Sequence, residues 1–202
     1  AGLAATAFAT DIRVAYVTYG IGLGFGAACA YVPTFALVGG WFNKWRTRAL
    51  GIAATGTGVG TLALPPLCAV IVERFGWRAG LLTLAAIAGV VLLVSAILVR
   101  PAPSPQNPAP SEPLRVALRS RAFVQMYFAW LLGTMALFVP FVFLPAFAVA
   151  RGADPVAASW LISIIGGASI VGRLIIGYLP KSLGPLSVYK ASMLAMGLSY
   201  VL

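Results

Sequence analysis

The chain has 202 residues, of which 61% are hydrophobic and only 9% charged, and its mean hydropathy is +0.98. A soluble domain carries roughly 25% charged residues, so this composition excludes one and predicts an integral membrane protein. The formal net charge of +10 comes from 14 Lys and Arg against 4 Asp and Glu. The basic residues lie between long apolar runs, so we assign them to membrane topology and expect no nucleic-acid partner.

Several classes of chemistry lack their residues. The chain has no histidine and two cysteines, Cys29 and Cys68, each within an apolar stretch. Zinc sites, His-dependent triads and disulfide frameworks are therefore excluded, and we predict no metal, no cofactor and no enzymatic activity. We interpret both cysteines as small buried hydrophobic residues.

Five apolar windows reach the roughly 20 residues that a membrane-spanning helix requires. They are residues 14–42, 49–72, 79–99, 123–150 and 156–179. Residues 1–10 and 185–202 are shorter apolar stretches, which we interpret as parts of further helices. The chain begins with Ala rather than Met and has no signal-peptide pattern, so we expect a piece of a longer protein.

Residues 100–121 separate the third and fourth windows and contain six prolines with Ser and Asn between them. This composition predicts an extended linker, with a tendency to disorder, between two groups of helices.

Lys and Arg are distributed unevenly between alternate loops. One side holds nine: Lys44, Arg46, Arg48, Arg100, Arg115, Arg119, Arg121, Lys181 and Lys190. The other side holds four: Arg13, Arg74, Arg78 and Arg151. The positive-inside rule therefore places the linker and the loop at 43–48 in the cytoplasm. For most of these residues, topology and contact with lipid headgroups are a sufficient explanation.

Glycines and prolines within the windows predict how the helices pack. Glycines four residues apart, Gly20 with Gly24 and Gly56 with Gly60, predict close approaches between helices. The prolines at 33, 65, 66, 140 and 145 predict kinks or breaks of the kind that transporters use near a central cavity. Residues 56–61 (GTGVGT) lack the preceding strand and the closing Gly-Lys-Ser/Thr of a phosphate-binding loop.

Arg173 is the one charged residue within the five windows. A guanidinium in a span costs at least about 2.5 kcal/mol on insertion scales, so it should face a polar cavity or a partner. On a helical wheel its face is small and polar, with Ser159, Gly166, Ser169 and Gly177. No window contains Asp or Glu, so a substrate carboxylate could pair with it. Alternatively, Arg173 lies close enough to the predicted cytoplasmic end to extend its guanidinium there.

Five motifs follow one another in the first half of the chain: 19–24 (YGIGLG), 31–33 (YVP), 41–46 (WFNKWR), 49–56 (ALGIAATG) and 76–78 (GWR). In this order they resemble the monocarboxylate transporter branch of the major facilitator superfamily and the related oxalate and formate antiporters. The resemblance covers nearly the whole chain and implies an all-α, polytopic transmembrane helix bundle with two incomplete lobes. Residues 1–99 would belong to the N-terminal lobe, 100–121 to the cytoplasmic linker and 122–202 to the C-terminal lobe.

The resemblance also implies roles for particular residues. In this family an arginine on the eighth helix binds the substrate carboxylate, and residues 172–177 (GRLIIG) match its position, which implies that Arg173 is the ligand. Animal members have an aspartate four residues earlier, where this chain has Ser169, so proton coupling through such a pair is not implied. The loop pattern GxLxDRxG reads GYLPKSLG at 177–184, where Lys181 replaces the acidic gate residue.

Three further side chains are weaker candidates for the cavity. The hydroxyl of Tyr31 could contact a carboxylate, or its ring could pack between helices. Thr55 and Thr57 lie beside packing glycines, and we expect their hydroxyls to bond to their own backbone.

We predict a secondary active transporter of small organic anions, such as monocarboxylates, that works by alternating access with proton symport or anion exchange. The candidate substrate-binding residues are Arg173, Ser169 and Tyr31, and the candidate loop and gating residues are Lys44, Arg46, Arg48 and Lys181. The expected partners are a small carboxylate, protons as a candidate co-substrate, and lipid of a bacterial cytoplasmic membrane. The alternatives are an exporter of drugs or other metabolites from the same superfamily and a non-transporting, transporter-like sensor. A membrane enzyme would lack acid–base groups.

Overall fold

The computed structural model describes residues 2–42, 44–103, 113–178 and 184–201. Within these residues every regular element is helical, which confirms the prediction of an all-α fold. The helices are α1 Gly2–Ala7, α2 Ile12–Ala15, a π-helical segment Tyr16–Leu23, α3 Gly24–Trp41, α4 Arg46–Phe75, α5 Trp77–Leu98, α6 Leu114–Arg119, α7 Arg121–Ala150, α8 Pro155–Tyr178 and α9 Pro185–Ser199.

Five helices are long and apolar enough to cross a membrane. They are Ile12–Trp41, Arg46–Phe75, Trp77–Leu98, Arg121–Ala150 and Pro155–Tyr178. The first runs without interruption from α2 through the π-helical segment to α3. All five predicted spans are confirmed, because their boundaries differ from the sequence windows by three residues at most.

Tight loops connect the spanning helices at the side opposite the linker. Gly76 has a φ of +82°, which only glycine adopts readily, and this lets α5 begin immediately after α4 ends. Asp154 caps α8, since its Oδ2 accepts from the backbone N–H groups of Val156 at 3.0 Å and Ala157 at 3.2 Å.

The most extensive contact between helices joins α4 and α8, which lie on opposite sides of the proline-rich segment in the sequence. A Cβ added to Gly166 would lie 2.6 Å from the backbone N of Leu62, and one added to Gly51 would lie 3.3 Å from the Cα of Gly177. The two backbones can therefore approach this closely only because the crossing points are glycines.

The glycine pairs predicted from the sequence are not the ones used. A Cβ added to Gly20, Gly24 or Gly56 would meet nothing within 4 Å in the part of the chain that the structure describes. On α4 the packing glycines are Gly51 and Gly58, seven residues apart, because two helical turns return the chain to the same face. The four-residue spacing of glycines correctly identified α4 as a packing helix, but it selected the wrong face of that helix.

The prolines do not interrupt their helices. Pro33 lies within α3, Pro65 and Pro66 within α4, and the remaining two within α7. The π-helical segment Tyr16–Leu23 was not predicted, and it is where α1 packs, with the Thr6 and Thr18 hydroxyl oxygens 2.8 Å apart.

The predicted linker is helical in part. Residues 100–103 have no regular secondary structure, and the indole N–H of Trp41 donates to the Arg100 carbonyl at 3.2 Å. Residues 114–119 instead form α6, because prolines end at Pro113 and the segment LRVALR contains good helix formers. The predicted extension of residues 104–112 lies outside the described residues.

The outer surface is apolar, as a lipid-facing surface should be, and Ile97 on α5 is 82% exposed. The prediction that both cysteines are buried is wrong. Cys29 is exposed and Cys68 is half-buried. For Cys29 the reason is that Gly39 is the one buried residue among those described on α3, so this helix presents most of its side chains outward.

Candidate functional site

Arg173 projects from α8 onto α4 and is half-buried. Its Nη1 donates two hydrogen bonds to α4, one to the carbonyl oxygen of Ala54 and one to the hydroxyl Oγ1 of Thr57. Neither acceptor carries a charge. The side chain is thus hydrogen-bonded, as a guanidinium in an apolar helix must be, but its positive charge has no carboxylate partner in these two contacts.

Thr57 is oriented for this contact by its own helix. Its hydroxyl donates to the Ala54 carbonyl at 2.8 Å, so the oxygen lone pairs are left to accept from Arg173. Thr55 makes the same local bond, to the Ile52 carbonyl at 2.6 Å. The prediction that both hydroxyls bond to their own backbone is confirmed, and Thr57 has a second contact that was not predicted.

Of the other two predicted substrate residues, Ser169 lies beside Arg173 on α8 and Tyr31 lies apart from it. Ser169 is half-buried on α8, one turn before Arg173. Tyr31 is 46% exposed on α3, and its ring packs against Phe35 with the centroids 4.7 Å apart. Within the described residues α3 has no extensive contact with α8, so Tyr31 is not placed beside the guanidinium.

Half of the small polar face predicted around Arg173 is closed. Gly166 and Gly177 are buried against α4 instead of lining open space. Ser159 borders a groove of about 590 Å³, together with Ile162 of α8, Pro65 of α4, and Pro145 and Val149 of α7. Ile162 precedes Arg173 by eleven residues, or about 16 Å along the axis, so the groove and the guanidinium are separate features.

The predicted loop residues form an aromatic and basic cluster where α4 begins. The guanidinium of Arg48 lies 4.5 Å from the ring centroid of Trp45 and 5.0 Å from that of Tyr178, the last residue of α8. Lys44 Nζ is 5.9 Å from the same Trp45 ring, and the Arg46 guanidinium lies against Gly39. Lys181 lies outside the described residues.

Sequence reasoning found Arg173 but missed its partners. The Ala54 carbonyl carries no signal, because every residue has one. Thr57 did carry one, since it is a hydroxyl in an apolar span, but only the α4–α8 register shows which of the neighbouring threonines faces Arg173. No group of three or more metal-ligating residues is found among the described residues.

The sequence matches the family model of the Major Facilitator Superfamily over residues 1–202. It is 33% identical to Monocarboxylate transporter 4 of Rattus norvegicus over 95% of the chain and 43% of that protein. It is 30% identical to Monocarboxylate transporter 13 of Bos taurus and to Monocarboxylate transporter 12 of Xenopus laevis, over 92% and 88% of the chain and 44% of each relative. No solved structure matches.

The chain therefore spans less than half the length of these relatives. The family match covers every residue, and the helices are those of a multi-pass membrane protein. The similarity to monocarboxylate transporters agrees with the five motifs found in the sequence. The chain belongs to the Major Facilitator Superfamily.

Proposed function

We propose that the protein containing this chain is a secondary active transporter of small organic anions, with monocarboxylates as the substrate class and Arg173 as the carboxylate ligand. The observation that carries this proposal is the half-buried Arg173 guanidinium, whose two hydrogen bonds go to uncharged acceptors. A half-buried positive charge held by uncharged acceptors attracts an anion, and a planar fork of N–H donors matches a carboxylate. A transporter of this kind needs no enzymatic acid–base groups.

Two further observations support the substrate class and the location. The relatives are named monocarboxylate transporters, and five helices of the described residues are long and apolar enough to cross a membrane. We place the protein in the cytoplasmic membrane of a bacterium, with lipid around its apolar surface. Coupling is by proton symport or by anion exchange, and Ser169 would line the site beside Arg173.

The proposed mechanism is alternating access between two lobes. Residues 1–99 and 122–202 are parts of the two lobes, and residues 100–121 join them. Under this division the α4–α8 contact crosses the lobe interface, with Arg173 on one side and Ala54 and Thr57 on the other. The basic residues Lys44, Arg46, Arg48 and Lys181 would act at the cytoplasmic entrance.

The test is uptake of labelled lactate, pyruvate, oxalate and formate by the full-length protein in proteoliposomes at several pH values. We expect saturable uptake that Arg173→Ala abolishes and that Arg173→Lys weakens, because an ammonium lacks the bidentate fork. The matched control is Arg151→Ala, which removes an exposed arginine from the α7–α8 loop and should leave uptake unchanged.

The outcomes decide the coupling mode, the role of Arg173 as ligand and the substrate class. Stimulation by an inward proton gradient would establish symport, and stimulation by internal carboxylate would establish exchange. Undiminished uptake by folded Arg173→Ala would refute Arg173 as the ligand. Absence of carboxylate uptake by the wild type would refute the substrate class and favour an exporter of other compounds or a sensor.

A further inference from the structure

We propose that Thr57 is a positioning residue, which fixes the Arg173 guanidinium so that its Nε–Nη2 edge receives the substrate carboxylate. This inference rests on the proposed function, because it assumes that Arg173 binds an anion. It adds a residue on a different helix, α4, to the binding of that anion by α8.

Some N–H donors of the Arg173 guanidinium are already used in contacts to α4. A guanidinium has five N–H donors, and Nη1 carries two of them. Both Nη1 contacts go to α4, one to Ala54 and one to Thr57. The donors that these contacts leave are Nε–H and the two N–H groups of Nη2, which include the parallel pair that a carboxylate binds in bidentate fashion.

The two contacts to α4 set the orientation of the Arg173 guanidinium. A single hydrogen bond would let the planar group rotate about it, whereas two bonds from one nitrogen to acceptors on the same helix fix the plane. The Thr57 hydroxyl proton is committed to the Ala54 carbonyl at 2.8 Å, so its lone pairs stay directed at Nη1. Thr57 therefore determines the direction in which the remaining edge of the guanidinium points.

The two acceptors on α4 are uncharged, so they leave the positive charge of Arg173 in place. Ala54 and Thr57 contribute a carbonyl and a hydroxyl, which orient the guanidinium without neutralising it. A carboxylate in the place of Thr57 would form an ion pair and compete with the substrate. A neutral, oriented partner thus suits a residue that must hold its position and still bind an anion.

The experiment compares initial rates of labelled lactate and pyruvate uptake by the full-length protein in proteoliposomes. Thr57→Val keeps the shape but removes the acceptor, and we expect KM to rise about tenfold, the effect of losing a hydrogen bond to a charged group. The KM rise and its rescue by Thr57→Ser are the readout of the positioning role, because a contact across the proposed lobe interface also affects Vmax. Thr57→Ser keeps the hydroxyl and should restore KM to within about twofold of the wild type.

The matched control is Thr55→Val, which removes a hydroxyl two residues away that donates to Ile52 and does not contact Arg173. Its KM should equal that of the wild type. If Thr57→Val is not recovered as folded protein, Thr57→Ala removes the same acceptor with a better helix former and replaces it in the comparison.

Arg173→Ala, measured in parallel, separates the two proposals. Loss of uptake in Arg173→Ala with an unchanged KM in Thr57→Val would overturn the positioning role alone. An equal KM rise in Thr57→Ser and Thr57→Val would also overturn it, since the hydroxyl would then be irrelevant. Full uptake by Arg173→Ala would overturn the proposed carboxylate ligand and this inference together.

Discussion

The two halves of α8 contact α4 in opposite ways. In the first half, Ile162 and Ser163 are buried, and the Ser163 hydroxyl is fully buried with no hydrogen-bond partner among the described residues. In the second half, Arg173 is more exposed, yet its Nη1 has two acceptors on α4. The better-buried polar group is thus the one without a partner, and the charged group is the one that α4 holds.

Under the proposed function, this difference separates packing from binding along a single helix. The first half borders an apolar groove and contributes a close helix crossing, for which an unpaired hydroxyl is only a cost. The second half holds the Arg173 guanidinium with neutral acceptors, so the positive charge is left to attract an anion. Gly166, at the middle of α8, is the crossing point on which both halves depend.

Gly166→Ala should have the largest effect on the packing of both halves of α8 against α4. Its Cβ would lie 2.6 Å from the Leu62 nitrogen and 2.8 Å from the Thr61 carbonyl carbon, and backbone atoms cannot move aside as a flexible side chain does. We expect the free energy of unfolding to fall by about 2 to 3 kcal/mol, as for overpacked cores. Thermal unfolding of the full-length protein in detergent measures this effect.

Gly167→Ala is the control for that variant on the same helix. Its Cβ would be 3.8 Å from Leu62 Cδ1, an ordinary contact, so the variant should be as stable as the wild type or more so. Equal destabilisation by the two variants would show that α4 and α8 do not cross at Gly166.

Ser163→Ala tests the packing of the first half of α8 alone. Removing a buried hydroxyl that has no hydrogen-bond partner should raise the free energy of unfolding by about 1 kcal/mol. Ser159→Ala is the control, because the Ser159 hydroxyl already donates to the Val156 carbonyl at 2.6 Å. Chemical unfolding of the two variants gives the measurement. A less stable Ser163→Ala would mean that this hydroxyl has a partner in the full-length protein.

The sequence predicted the spanning helices well, because length and hydropathy are local properties of the chain. It predicted helix contacts poorly. Gly56 and Gly60 match the usual spacing of packing glycines, but α4 uses Gly51 and Gly58. The register of two helices whose contacting glycines lie more than 100 residues apart in the sequence determines this. The same register explains why Thr57 and not Thr55 meets Arg173.

Arg173 itself could be found from the sequence, since a lone charge in an apolar window must have a function or a partner. Its neutral partners could not be found in this way, because the Ala54 carbonyl has no side-chain signature and no acidic residue marks the contact. The π-helical segment was missed for a related reason. The sequence of residues 16–23 reads as an ordinary glycine-rich helix, and the contact of this segment with α1 is not visible from it.

The smallest effect is expected at the end of the second half, where Arg48 lies between Trp45 and Tyr178 and links α4 to the last residue of α8. Arg48→Gln removes the cation–π contacts and should lower the free energy of unfolding by about 0.5 kcal/mol, the value for an exposed site. Lys44→Gln is its control, because Lys44 has one longer contact, of 5.9 Å, and none to α8. A double variant of Arg48→Gln with Tyr178→Leu should be less destabilised than the sum of the single variants, because each single change already breaks the shared contact. Strict additivity would mean that Arg48 and Tyr178 do not interact, and the second half of α8 would then be held to α4 by its glycines and Arg173.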